Sequence, residues 1–118
     1  MNYSQGDVVL VPFPFSDNTG TKLRPAMIVS NSKVNASTEI ILVQITSTIR
    51  NDKFTFSIND RLLTYPITYN CELRCHKLFT AQKKLVVKKI SSLKSKNLTA
   101  ALELIRSFFT QTEFGKIQ

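Results

Sequence analysis

The sequence predicts a mostly-β domain that ends in one helix, and three patterns indicate this fold class. Apolar residues alternate with their neighbours from Val8 to Phe15, which is typical of a strand. A second run, TEIILVQI at Thr38 to Ile45, is apolar and rich in β-branched residues. Near the C-terminus, apolar residues recur at helical spacing between 98 and 109. We therefore expect five or six strands, a small and strongly bent antiparallel sheet or barrel, and a terminal helix.

Length and composition predict one domain that spans residues 1–118, with strands at about 7–90 and a helix at about 95–110. The chain has 118 residues, of which 42% are hydrophobic and 20% charged, as in ordinary globular proteins. Polar residues interrupt every apolar run before it reaches the length that a bilayer requires. The first six residues lack the pattern of a secretory signal, so we expect a cytoplasmic protein with no membrane partner.

Positive charge is concentrated in the second half of the chain. Residues 1–70 carry six basic and five acidic side chains, whereas residues 71–118 carry ten basic and three acidic ones. Such an excess attracts polyanions and accelerates their association. The same lysines would also serve simply to solvate a surface, so charge alone leaves nucleic-acid binding and plain solubility equally open.

The first strand and the polar loop after it form the most informative stretch. Pro12 and Pro14 have no N–H for a strand ladder, so this strand should end at an edge or leave the sheet. The loop, residues 16–21, consists of residues that favour turns. The next apolar run is Ala26 to Val29, so we expect Arg24 to lie between the loop and a second strand.

The remaining elements follow from the same periodicities. Residues 30–37 are polar and predict a loop or a short helical turn, and the strand at 38–45 should be central. Further strands are predicted at 53–58, 72–80 and 85–90, with residues 81–84 linking the last two. Asn97 is the best candidate cap for the final helix, whose predicted apolar face is Leu98, Ala101, Leu102, Ile105, Phe108 and Phe109.

The opening stretch resembles the MazF/PemK/Kid toxins of bacterial toxin–antitoxin pairs. The resemblance is carried by Gly6-Asp7, Phe13-Pro14-Phe15, the loop at 16–22 and Arg24-Pro25-Ala26, and it continues more weakly to about residue 110. It implies an SH3-like barrel with the helix packed against it and a homodimer as the working form. It also implies nucleic-acid binding (RNA and DNA), cleavage of single-stranded RNA and neutralisation by a cognate antitoxin protein.

Several reaction classes lack the residues that they need. One histidine and three glycines provide neither a hydrolase triad nor a glycine-rich phosphate loop, and no carboxylate cluster suits Mg²⁺. We therefore expect no metal and no cofactor. RNA can still be cleaved by such a protein, because the 2′-hydroxyl of the substrate is the nucleophile. The protein must then position it, stabilise charge on phosphorus and move protons.

The resemblance assigns catalytic roles to Arg24 and Thr46. Arginine offers phosphate a bidentate, permanently charged partner, and Ile45-Thr46-Ser47 matches the family's Ile-Thr-Ser context around its catalytic threonine. The alternatives are a surface salt bridge of Arg24 to Asp7 or Asp17, and a strand-end capping role for Thr46. Ser47 and Thr48 are predicted to bind RNA.

The triplet Arg74-Cys75-His76 departs from the family pattern. Kid-like members have Arg-Cys-Asp, and the Asp is thought to act as the base, whereas here the only histidine stands in its place. We hypothesise that His76 is a catalytic general base and that Arg74 binds RNA; the alternative is a strand histidine without a chemical role. Cys75 and Cys71 are expected to be reduced thiols.

The loop after the first strand is expected to close over the RNA. Its predicted RNA-binding residues are Phe15, Asp17, Asn18 and Thr19, and Tyr65 and Tyr69 are weaker candidates for stacking on bases. Two other functions remain open at this stage. One is a non-catalytic toxin of the same fold, like the gyrase inhibitor CcdB, and the other is an RNA-binding module that has lost activity together with the missing Asp.

Overall fold

The computed structural model describes residues 2–14, 20–67 and 69–111. Within them the strands are β1 (Asp7–Pro14), β2 (Thr21–Ile28), β3 (Glu39–Thr46), β4 (Thr55–Ile58), β5 (Cys71–Gln82) and β6 (Lys88–Ser92). The helices are the short α1 (Ser32–Asn35) and the C-terminal α2 (Ser95–Ser107), and two 3₁₀ turns span Asp60–Leu62 and Lys83–Leu85. None of the helices in these ranges is long and apolar enough to cross a membrane.

All six strands join one antiparallel sheet in the order β4-β5-β3-β2-β1-β6. The sheet curls into a half-barrel, and α2 follows it in the chain. The predicted fold class, mostly β with a C-terminal helix, is therefore confirmed. β3 lies inside the sheet between β2 and β5, as its apolar sequence predicts.

The two faces of the curled sheet bury separate apolar clusters. One lies between the sheet and α2, and its fully buried members include Val8, Met27, Val43, Leu73 and Ala101. The other covers the opposite face and comprises Val9, Val11, Ala26, Ile28, Ile40 and Leu42. Alternate residues of one strand thus enter different cores, which explains why β1 and β3 are apolar at nearly every position.

The proline-containing end of β1 lies at an edge, as predicted. β6 pairs with β1 only from Asp7 to Leu10. Beyond Leu10, β1 has a single neighbour, and Pro12 lies opposite Leu23 of β2. A missing N–H is tolerated there because no second strand requires it.

Two predicted strand boundaries are wrong. β2 begins at Thr21, so Arg24 lies inside a strand, because its pairing with β1 extends the ladder past the apolar run. The strand predicted at 85–90 is β6 at Lys88–Ser92. β5 continues to Gln82 opposite β3, and a 3₁₀ turn closed by Val86 N–H to Lys83 O (3.1 Å) displaces the next strand.

The final helix begins at Ser95 as predicted, but its predicted cap and its predicted end need correction. Its N-cap is Lys94, without a side-chain hydrogen bond, and Asn97 lies inside the first turn. Ala101 and Ile105 are buried as predicted, with Leu98 and Leu102 packed beside them. Phe108 and Phe109 follow the end of the helix and are 36% and 71% exposed, because the last turn closes before their side chains reach the core.

Gly6 connects the start of β1 to α2. Its φ of +95° is one that L side chains rarely adopt, and a Cβ there would lie 3.0 Å from the Leu98 Cδ2 atom. Its N–H donates to Ile28 O and its carbonyl accepts from Leu93 N–H. The backbone of Gly6 therefore connects the start of β1 to the end of β2 and to the segment just before α2.

Candidate functional site

The predicted phosphate-handling residues lie on one face of the sheet. Ala26 of β2 pairs with Gln44 of β3, which pairs with Arg74 of β5, so these residues form one row across the strands. Arg24 and Thr46 each follow two residues farther in the same direction, and alternation keeps them on the same face. Neighbouring strands lie about 4.8 Å apart, so the distance from β2 to β5 across β3 is roughly 10 Å.

Arg24 is exposed, and no carboxylate of the described residues pairs with it. It lies opposite Val11 of β1, just beyond the last pair between β2 and β3. The alternative partner Asp7 is buried and bonded to Lys89 at 3.2 Å. Asp17, the other alternative, lies outside the residues that the structure describes. The guanidinium of Arg24 is thus available to an anion from solution.

Thr46 is the last residue of β3 and is half-buried. Its Oγ1 accepts the Thr48 N–H at 3.1 Å, which closes a small turn at the end of the strand. A hydroxyl that accepts one hydrogen bond retains its own proton for donation, so the turn role and a role toward substrate are compatible. Ser47 and Thr48 are exposed in this turn.

Arg74 is buried, and its side chain is only 7% exposed. Its Nη1 donates to both carboxylate oxygens of Asp52, at 3.1 and 3.2 Å. Its Nε is buried and has no hydrogen-bond partner among the described residues. One N–H group of this guanidinium is therefore left unsatisfied by the part of the chain that the structure describes.

Two carboxylates complete this corner of the sheet, and the sequence did not single out either of them. Asp52 lies in the β3–β4 loop, and Glu72 on β5 is 1% exposed and accepts the N–H groups of Arg50 and Asn51 at 3.1 and 3.0 Å. Desolvation acts to raise the pKa of Asp52, but hydrogen bonds from Phe54 and Arg74 outweigh it and lower this pKa from 3.8. Glu72 had one visible signal, a charge in the otherwise apolar start of β5.

His76 lies in a bulge of β5. Val43 pairs with Leu78 and Gln44 with Arg74, so three residues of β5 bulge out between consecutive residues of β3. The exposed imidazole stacks on Phe54, with ring centroids 4.2 Å apart and an interplanar angle of 28°. Desolvation and the charges of Arg74 and Lys77 lower the pKa of His76 below 6.5, against the opposing charge of Asp52. The neutral imidazole is therefore favoured at pH 7.

An open groove of about 760 Å³ borders the site. Gln44 and Lys77 line it beside Arg74 and His76. Phe13 and Phe79 also line it and contact each other edge to face, with ring centroids 5.0 Å apart. The predicted RNA-binding residues Phe15, Asp17, Asn18 and Thr19 lie outside the described residues. The groove therefore gives the described part of the site an apolar wall, with Lys77 and Glu39 as its charged lining residues.

The cysteines are both free and buried. Burial raises the pKa of Cys71 and of Cys75 to about 11, so both remain protonated thiols at neutral pH. Within the described ranges, no three His, Cys, Asp or Glu side chains come together as a group that could hold a metal ion. The chemistry of the described site is thus that of guanidinium, hydroxyl, imidazole and carboxylate groups.

Solved structures with the same fold include several toxins. An endoribonuclease in complex with its cognate antitoxin from a mycobacterial species matches with a TM-score of 0.72 and 16% identity, over 91% of this chain and 94% of that chain. MazE–MazF (Form-III) from Deinococcus radiodurans matches with a TM-score of 0.75 and 14% identity, over 92% and 97% of the two chains. Mycobacterium tuberculosis toxin MazF-mt6 matches with a TM-score of 0.66 and 19% identity, over 86% and 95%.

The sequence itself carries the family assignment. No curated protein matches it significantly. The sequence profile of the PemK-like, MazF-like toxins of type II toxin–antitoxin systems, however, matches residues 4–109, nearly the whole chain. The chain therefore belongs to the PemK-like, MazF-like toxin family of type II toxin–antitoxin systems.

Proposed function

We propose that this chain is the toxin of a toxin–antitoxin pair and a sequence-specific endoribonuclease that cleaves single-stranded mRNA without a metal ion. The observation that carries the proposal is the shared face of Arg24, Thr46 and Arg74 on three strands of one sheet. Arg24 has no carboxylate partner among the described residues, and Arg74 has an unpartnered Nε. Family membership and the endoribonuclease relatives support the same activity.

In the proposed reaction, the 2′-oxygen of the RNA attacks the adjacent phosphorus as it loses its proton, and the 5′-oxygen of the next nucleotide leaves and takes a proton from water. The products are a 2′,3′-cyclic phosphate (or, after hydrolysis, a 3′-phosphate) and a 5′-hydroxyl. Arg24 stabilises the charge that develops on the phosphorane oxygens, and the Thr46 hydroxyl donates to the scissile phosphate. Arg74 binds a phosphate oxygen, with Ser47 and Thr48 as further contacts. We assign the proton acceptor role to His76, whose neutral form can accept the 2′ proton.

The proposed assembly is a homodimer with RNA bound across its interface and an antitoxin as the inhibitory partner. Antitoxin complexes among the structural relatives support a protein partner. The net charge of +8 favours RNA and an antitoxin that is acidic in its C-terminal tail. The loop at 16–22 is where we expect antitoxin and RNA to compete.

The decisive experiment incubates purified, antitoxin-free protein with a long single-stranded RNA in excess EDTA and maps the ends of the fragments. We expect cuts at a short repeated motif that leave 5′-hydroxyl ends, and intact RNA with the Arg24→Ala variant. Intact RNA from folded wild-type protein would contradict the proposal. It would favour a binding-only toxin, and DNA gyrase would then be the target to assay.

The pH dependence of the cleavage rate tests the role of His76. A base acts in its unprotonated form, so the wild-type rate should fall as pH decreases through the lowered pKa of His76 and level off at higher pH, where the imidazole is neutral. His76→Gln should remove this acid limb and reduce the plateau rate by roughly 10²-fold. An unchanged rate and profile in His76→Gln would exclude His76 as the base.

A further inference from the structure

Three aromatic rings form a row between the end of α2 and the bulge of β5. Phe54 lies in the middle, with the His76 ring stacked on it at 4.2 Å and the Phe108 ring tilted against it at 5.7 Å and 58°. Phe54 is half-buried, whereas His76 and Phe108 are exposed. Both ends of the row are therefore accessible to solvent, and the imidazole is the end that lies in β5.

The position of this row is fixed by hydrogen bonds to the backbone of Phe54. Its carbonyl accepts the Cys75 N–H at 2.9 Å, and its own N–H donates to Asp52 Oδ1 at 3.0 Å. The same carboxylate binds the buried Arg74 guanidinium. The ring on which His76 rests is thus attached to both β5 and the candidate site, so little ordering is needed when a ligand arrives.

The surroundings of the row are cationic. Lys53 Nζ lies 5.4 Å from the centroid of the Phe54 ring, and exposed Lys77 follows His76 directly. Asp52, the nearby carboxylate, is already paired with Arg74. Lys77 also lines, together with Gln44, the open groove described above. A flat aromatic surface flanked by cations matches the chemistry of single-stranded nucleic acid, whose bases stack while its phosphates need positive charge.

We propose that the outer face of the His76 ring is a stacking platform for one unpaired nucleobase of the RNA, with the neighbouring phosphate bound by Lys77. The inference rests on the proposed ribonuclease function and adds a base-binding position to that site. Stacking uses the face of the ring, whereas proton transfer uses its edge, so the platform role is separable from the role as a base. Exposed Phe108 adds apolar surface at the other end of the row, but the cations Lys53 and Lys77 beside the rings favour a ligand that carries phosphate.

The test uses an RNA oligonucleotide that contains the motif cut in the EDTA assay, with 2′-deoxyribose at the scissile position to prevent cleavage. 2-Aminopurine replaces each flanking base in turn, because its fluorescence is quenched when it stacks. We expect quenching at one position on binding to the wild-type protein. His76→Ala should lose this quenching and roughly 5- to 150-fold in affinity, the range for one base–aromatic stack.

His76→Phe is the variant that separates stacking from proton transfer. It should retain the quenching and the affinity, whatever its cleavage rate. Lys77→Ala should bind more weakly. The slope of log K against log salt concentration should also become shallower, by the amount expected for the loss of about one phosphate contact. Val87→Ala, which shortens an exposed apolar side chain before β6, serves as the control and should behave like wild type.

The outcomes distinguish this inference from the function on which it rests. If wild-type protein cleaves RNA but His76→Ala quenches and binds as well as wild type, the platform is wrong and the ribonuclease stands. If folded wild-type protein neither binds nor cleaves RNA, the proposed function fails and the platform fails with it. Loss of binding in His76→Phe as well as in His76→Ala would also overturn stacking, because phenylalanine preserves a flat ring.

Discussion

The double variant Arg24→Ala, Thr46→Ala is expected to lose roughly 10²–10⁴-fold in the rate of RNA cleavage while its fold remains intact. Arg24 is exposed and Thr46 half-buried at the end of β3, so their truncation removes little core packing. What it removes is the charge and the hydroxyl to which we assign the stabilisation of the scissile phosphate. The loss is measured as the single-turnover rate of RNA cleavage in EDTA, with the protein in excess over the RNA. Circular dichroism verifies that the variant is folded.

A matched double variant is available on α2. Thr99 and Arg106 are an exposed threonine and an exposed arginine, and Arg106 pairs only with Glu103 of its own helix among the described residues. Thr99→Ala with Arg106→Ala removes the same side-chain types and should retain nearly the full cleavage rate. Equal losses in both double variants would show that net charge matters and that the Arg24–Thr46 face does not.

Glu72→Ala is expected to lower the free energy of unfolding by about 2–4 kcal/mol, because a buried carboxylate that accepts two backbone N–H groups is lost. Glu72 is 1% exposed, and the donors are Arg50 N–H and Asn51 N–H. Asn51 also has a φ of +50°, an uncommon conformation that these hydrogen bonds help to maintain. Denaturant titration followed by circular dichroism measures the change. Cleavage should weaken as well, since Thr46 leads directly into this loop.

Glu103→Ala is the control for Glu72→Ala. Glu103 is exposed on α2, and its partner Arg106 is three residues away at 2.8 Å. An exposed ion pair of this kind contributes little, so we expect a change within about 0.5 kcal/mol. Similar unfolding free energies for the two variants would mean that the buried carboxylate does not hold the loop.

Periodicity predicted much of the fold because alternate residues of β1 and β3 really do enter the cores. It failed at β6 and at the end of α2. There the boundary depends on tertiary pairing: β5 extends to Gln82 opposite Glu39, and the chain after Ser107 turns away from the core. Neither event leaves a local pattern in the sequence.

The predicted site came from family resemblance, and the structure adds what resemblance lacks. The pairing of β3 with β5 places Arg74 beside Gln44. No rule of sequence spacing, however, predicts that Arg74 pairs with Asp52, which is 22 residues away in the chain. The bulge that carries His76 onto Phe54 is similarly invisible, because three extra residues in a strand have no compositional mark. The ion pair of Arg74 with Asp52 and the stacking of His76 on Phe54 therefore become visible only in the three-dimensional structure.

The hold of β5 on the β3–β4 loop has a consequence for how RNA preference can diversify. Within the described ranges, the Glu72 carboxylate binds the loop through the main-chain N–H groups of Arg50 and Asn51, and Thr46 Oγ1 binds it through the N–H of Thr48. The side chains of Ser47, Thr48 and Arg50 are exposed and take no part in these bonds. Substitutions other than proline at these three positions are therefore expected to leave these hydrogen bonds unchanged, so a randomised library there would test whether the loop side chains set the preference that we propose for RNA.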